Sequence, residues 1–236
     1  RALSLFNIYG LGGMGKSQIL NQVQKKIELH NVSDKRVAFA KVDFAFNDIS
    51  PIKNYLEIIG DLEKFGFEFP CFCFALIDYY TSIGNKEMAK NVVDQRFNRY
   101  DDYQDYVGMM LEAIYDGFGP LKILVRLGSF LDKYSSSQME YIKEFFSTYK
   151  SIPKEEKIER LGTALYLDLV NSELHWGRKV FFLFDSYEKF YDGNYVRFMR
   201  ADKWIFNFIS SFSKEISIKP VFIIAGRDRI PLNTLK

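Results

Sequence analysis

Residues 7–20 read NIYGLGGMGKSQIL, and no other stretch limits the fold of this chain as tightly. An apolar run from Ala2 to Tyr9 stops at Gly10. Gly12, Gly13 and Gly15 follow, and Lys16 and Ser17 stand at the start of an apolar-periodic segment carrying Ile19, Leu20, Val23 and Ile27. The pattern G-x-x-x-x-G-K-[ST] is complete. Glycines admit positive φ, so successive backbone N–H groups can turn inward and form a concave anion nest. A helix beginning at Lys16 adds its own unpaired N–H groups and the positive end of its dipole. Lys16 can reach β- and γ-phosphate oxygens, and Ser17 can ligate Mg²⁺. The stretch therefore reads as strand, phosphate loop and helix. Gly10, Leu11, Gly12, Gly13, Met14, Gly15, Lys16 and Ser17 are the expected cofactor-binding residues.

The remaining pattern extends this into an α/β chain. Strands are expected at 36–44, 179–185 and 220–225, the last two being continuous apolar runs of the kind buried in parallel sheets. Helices are expected at 16–30, 51–62, 71–82, 86–98, 103–116, 120–133, 137–149, 154–175 and 201–214, divided by turn signals such as GFGP and SIPKEE. Strands alternating with helices indicate a parallel sheet. The stretch 51–176 is too long for one crossover and is read as a helical insertion between the second and third strands of a domain spanning 1–236.

Composition narrows the function. With 236 residues, 47% of them hydrophobic, the chain can build one large domain or one domain with a sizeable insertion. Its 32 basic and 30 acidic residues leave a net charge of +2. That balance gives no electrostatic footprint for nucleic acid or an anionic membrane. The 23 Phe and 15 Tyr read as core and its margins rather than a base-stacking surface, because no basic stripe accompanies them. Cys71 and Cys73 are too close for a ready disulfide, and with only His30 and His175 beside them they complete no zinc site. No run reaches the ~18–20 apolar residues of a membrane span, and no signal-peptide pattern opens the chain. A cytoplasmic protein without membrane contact is the expectation. Arg1 in place of a methionine, and the abrupt end PLNTLK, suggest a piece of something longer.

A phosphate loop needs an acid for its magnesium shell. VFFLFDSYEKF supplies Asp185 at the end of an apolar strand, where the carboxyl ends of parallel strands face the ligand crevice. A capping or turn-forming role is the other reading of Asp185. Three residues on, Glu188 is open to two roles: orienting or deprotonating the attacking water, or standing as a solvated glutamate at a helix start. After the fourth strand, IIAGRDRIP places Arg227 where a guanidinium could touch the γ-phosphate and tell triphosphate from diphosphate. A salt bridge with an acid such as Asp228 is its alternative. Arg229 is a weaker candidate for the same task, and Asp43 could either face the crevice or cap a turn. The expected catalytic set is Lys16, Asp185, Glu188 and Arg227, with Ser17 and Asp185 as metal ligands.

These residues together resemble a family. GLGGMGKS is similar to the phosphate loop of STAND-class P-loop NTPases, the signal-transduction ATPases that include the NACHT and NB-ARC groups. FFLFDSYE resembles their Walker B strand, and AGR their sensor strand ending in arginine. LEKFGFEFPCFCFALIDYY, Leu62 to Tyr80, resembles a segment of bacterial members. The resemblance implies an ASCE/AAA+-like three-layer parallel sheet ordered 2-3-4-1, with a fifth strand outside the first. It also implies ATP or ADP with Mg²⁺ as cofactors, slow hydrolysis, and homo-oligomerisation on activation. Sensor and effector domains would lie elsewhere in a longer chain, and bacterial relatives of this kind act in antiviral defence or regulation.

Other functions compete with the switch. A work-performing AAA+-like remodeller or motor would need fast stimulated turnover and a trans-acting arginine, for which Arg126 and Arg178 are candidates, each also readable as a surface charge. A third reading makes the helical stretch the main binding surface and the nucleotide structural. A small-molecule kinase fits least, because lid arginines and an acceptor-site pattern are missing.

Overall fold

The computed structural model describes residues 3–33, 37–46, 50–96, 111, 112, 114, 136–171, 178–190, 201–212 and 219–230. Their elements run β1 (Ser4–Tyr9), α1 (Lys16–Ser33), β2 (Val37–Asp43), α2 (Pro51–Glu63), α3 (Pro70–Ser82), α4 (Lys86–Arg96), α5 (Ser136–Ser151), α6 (Lys154–Asn171), β3 (Lys179–Asp185), a 3₁₀ turn (Tyr187–Phe190), α7 (Lys203–Ser211) and β4 (Lys219–Gly226). The helix expected at 120–133 lies outside the described residues, as does nearly all of the one expected at 103–116. No described helix is long and apolar enough to cross a membrane.

The chain divides into two compact units, residues 1–67 with 172–236, and residues 68–171. The first holds a four-stranded sheet in the order β1-β4-β3-β2, parallel throughout. β3 is central and buried along nearly its whole length, which is why its sequence KVFFLFD does not alternate. β2 alternates instead, burying Ala38, Ala40 and Val42.

Successive side chains of a strand point to opposite faces, so each face of this sheet can be assigned from its own contacts. Leu183, Ile223 and Ala225 pack under Leu20 and Val23 of α1. On the other face, Phe182 stacks on Phe222 at 4.7 Å and meets Phe208 and Phe212 of the α7 region edge-on or tilted. Phe44 and Phe184 surround Trp204 there, and Tyr55 of α2 packs against the same indole at 4.9 Å. Helices thus cover both faces.

α2 belongs with the sheet, although its sequence opens the stretch 51–176. Pro51 sits in its first turn, and Tyr55, Ile58, Ile59 and Leu62 form a buried i, i+3, i+4, i+7 face. At the outer edge of β2, Asp61 accepts the backbone N–H of Lys41 at 3.0 Å. This capped donor and the packing on β2 start the separate helical unit at residue 68 rather than 51.

In the helical unit α3 is buried almost all round, from Pro70 to Asp78, among α4, α5 and α6. Its N-cap residue, Phe69, has no side-chain acceptor. Asp168 of α6 takes over that task, accepting N–H groups from Cys71 at 2.9 Å and Phe72 at 2.8 Å. Burial pushes the Asp168 carboxyl up to about 8, against the pull of those two backbone bonds and of the Cys71 side chain. Lys157 and Asp78 form a buried ion pair at 2.5 Å, with Lys157 also 5.4 Å from the centre of the Tyr149 ring. Burial first, and then the Asp78 charge, push the Tyr149 hydroxyl upward. It therefore stays a donor, aimed at the Ala75 carbonyl 3.1 Å away. Gly84, at φ +77°, ends α3, and the Asn85 side chain accepts the Met88 N–H to cap α4.

Candidate functional site

Four parallel strands present their carboxyl ends at one edge of the sheet, and the glycine loop, Asp43, Asp185 and Arg227 gather there. β1 runs into Gly10, β2 ends at Asp43, β3 ends at Asp185, and β4 ends at Gly226 before Arg227. The register sets Tyr9 beside Gly226 and Asp43 beside Asp185. One further ladder bond, from the Gly10 N–H to the Arg227 carbonyl at 3.2 Å, ties the start of the loop to the end of β4.

The loop itself needs its glycines. Gly10, Gly13 and Gly15 have φ of +152°, +79° and +78°, a region that residues with a Cβ rarely occupy. A Cβ at Gly12 or Gly13 would meet nothing within 4 Å, so the space above the loop is open. α1 starts directly from this turn, its Ile19 N–H bonding to the Gly15 carbonyl at 3.0 Å. Lys16 folds back onto the loop, donating to the carbonyls of Gly10 at 2.8 Å and Leu11 at 2.9 Å. Ser17, Leu11 and Met14 are exposed.

Asp185 is buried, and its Oδ1 accepts the N–H of Ser186 at 2.8 Å. The turn-forming bond weighed for it is therefore present. Ser186 takes φ +59°, the left-handed region that non-glycine residues enter only where surrounding structure holds them. The 3₁₀ turn follows, anchored by the Tyr187 hydroxyl, which donates to Asp202 at 2.5 Å. Glu188 in that turn is not a solvated glutamate. Its Oε2 accepts the Arg227 N–H at 3.2 Å, and its Oε1 lies 3.7 Å from the Arg227 Nε. The salt-bridge partner of Arg227 is thus Glu188, 39 residues away, and not Asp228.

Two other candidates are occupied by structural tasks. Asp43 Oδ1 accepts the Ala45 N–H at 2.9 Å, which makes it a turn former. Arg178 donates to the Phe65 carbonyl at 3.1 Å and lies over the Phe67 ring, and burial lowers its pKa. Arg229 is exposed, and Arg126 lies outside the described residues.

Gly226 shapes the candidate site, and the pattern of residues did not single it out. A Cβ there would lie 3.2 Å from the Tyr187 Cβ and 3.5 Å from the Glu188 N. Glycine is what lets the Glu188 turn close onto β4. The visible signal was a glycine directly before the strand-end arginine.

The donor set fits a nucleotide phosphate with magnesium. It combines an ammonium, a hydroxyl at a helix start, a glycine loop with open space above it, and a buried carboxylate at the end of β3, one strand beyond β4. No group of three His, Cys, Asp or Glu side chains able to hold a metal exists among the described residues. Magnesium suits such a sparse set, because it keeps several waters and takes its other oxygens from phosphate. No family model matches the chain, and no curated protein or solved structure is a significant match to it.

Proposed function

We propose that the sheet unit binds adenosine nucleotides with magnesium and acts as a STAND-like switch, holding ADP at rest and ATP when activated. The observation that carries this reading is the place of the loop. A complete G-x-x-x-x-G-K-S turn, with three positive-φ glycines, leaves a parallel strand and enters a helix. The acid Asp185 and the cation Arg227 end the strands that follow at the same edge. The sheet order supports the reading too: taken from the β2 edge it runs 2-3-4-1, as the resemblance implies.

Each residue then has a task. Backbone N–H groups of the glycine loop and the start of α1 bind the phosphates, and Lys16 neutralises the β- and γ-oxygens. Ser17 and Asp185 would hold magnesium, which lowers the charge on the terminal phosphates. Arg227 recognises the γ-phosphate, and Glu188 orients water and accepts its proton. Hydrolysis is slow and serves as a reset, while the triphosphate state favours homo-oligomerisation and passes the signal to effector segments.

The test is a titration with a fluorescent ATP analogue in magnesium. The chain is expected to bind it, and Lys16→Ala to weaken binding at least tenfold. A chain that binds neither ATP nor ADP, or a Lys16→Ala variant that binds as well as the parent, would overturn the reading.

A further inference from the structure

Both cations of the site are engaged by oxygens of the protein itself. Lys16 is held by the carbonyls of Gly10 and Leu11, and Arg227 by the carboxylate of Glu188. We propose, resting on the nucleotide reading, that Arg227 exchanges between two anions: the Glu188 carboxylate, and the γ-phosphate of a bound triphosphate. Glu188 is latched while the terminal phosphate is absent and released to act on water when it is present.

The geometry favours exchange over a fixed pair. The Arg227 side chain is 58% exposed while that of Glu188 is 17% exposed, so the cation can swing and the acid is seated. The pair uses Nε at 3.7 Å, longer than a hydrogen bond, and the outer guanidinium nitrogens have no protein partner among the described residues. A fork of donors with one loose contact suits a ligand that offers several oxygens. The seat of Glu188, by contrast, is built. Gly226 clears the approach, the Arg227 N–H holds Oε2, and Tyr187 anchors the turn to Asp202. The bond from the Gly10 N–H to the Arg227 carbonyl makes the residue that opens the loop and the residue carrying the guanidinium direct neighbours. Phosphate entering the loop therefore arrives beside Arg227.

The energetic scale is that of an exposed ion pair, so removing the latch changes affinity roughly two- to fivefold. The experiment measures affinities for a non-hydrolysable ATP analogue and for ADP, in magnesium. It compares the parent chain with Glu188→Gln, Arg227→Ala, Arg227→Lys and the Glu188→Gln/Arg227→Ala double variant. Glu188→Gln keeps an acceptor for the Arg227 N–H and removes the charge. The ratio of triphosphate to diphosphate affinity is expected to rise roughly two- to fivefold in Glu188→Gln and to fall in Arg227→Ala. Arg227→Lys should restore part of it. In the Arg227→Ala background, Glu188→Gln should add nothing. Should Glu188→Gln fail to fold by circular dichroism, Glu188→Asp, whose shorter arm cannot reach Nε, should give the same rise. A ratio unchanged by loss of the Glu188 charge, or changed equally with and without Arg227, overturns the exchange while leaving nucleotide binding intact. A parent chain that binds neither nucleotide overturns both.

Discussion

The Lys16 ammonium lies 2.8 Å from the Gly10 carbonyl oxygen, closing the glycine loop on itself. The contact is partly buried and joins a side chain to backbone, so its net worth to folding is about 1 kcal/mol. Lys16→Ala should therefore cost no more than about 1 kcal/mol in urea unfolding while losing nucleotide binding. A fall of several kcal/mol would make Lys16 a structural residue first.

Gly226 tests the seat of Glu188. Its Cβ position faces the Tyr187 Cβ at 3.2 Å, tighter than ordinary packing, and both atoms belong to anchored segments. Gly226→Ala is expected to destabilise the chain by about 1–2 kcal/mol through overpacking, read from the denaturant midpoint. It should also raise the ratio of ATP to ADP affinity, because the turn carrying Glu188 is pushed from β4 and its hold on Arg227 is loosened. Full stability and an unchanged ratio would show that the turn yields freely.

Asp168 gives the helical unit a pH dependence. Burial raises its carboxyl from the usual 3.8 to about 8, so the folded state keeps this proton well above the pH at which the unfolded chain releases it. Between about pH 4 and 8 the folded state binds more protons than the unfolded state, and stability must fall as pH rises. Urea unfolding of the parent at pH 5 and pH 8 should show the lower midpoint at pH 8. Asp168→Asn should flatten that difference. It should also lose stability at pH 5, because its amide cannot accept both the Cys71 and Phe72 N–H groups.

Asp78 and Lys157 are each under one-tenth exposed, so either charge left alone would be stranded away from water. Lys157→Met alone should cost about 3–5 kcal/mol, and Asp78→Leu a similar amount. The double substitution should recover most of that loss, because a well-packed apolar pair removes the desolvation penalty altogether. A double-mutant cycle in chemical denaturation measures the coupling.

Local pattern made much of this legible. The glycine spacing placed the loop between β1 and α1, the apolar runs marked β3 and β4, and Pro51 marked the start of the helix expected at 51–62, which is α2. What escaped was long-range. Nothing near Phe69 says that its helix is capped by Asp168, 97 residues from Cys71. Nothing in SYEKF says that Glu188 meets Arg227. Arg178 looked like a free surface charge because its acceptor, the Phe65 carbonyl, lies 113 residues away. The membership of α2 escaped for the same reason, since a helix face records that it is buried but not against what.

The most direct measurement is the identity of the small molecule held by the purified chain. It would be released by denaturation and run on ion-exchange chromatography beside nucleotide standards, with Lys16→Ala treated in parallel. ADP in near-equal amount to the protein, missing from Lys16→Ala, is the expected result for a resting switch. A chain that carries no nucleotide and takes up none when ADP and magnesium are supplied would contradict it.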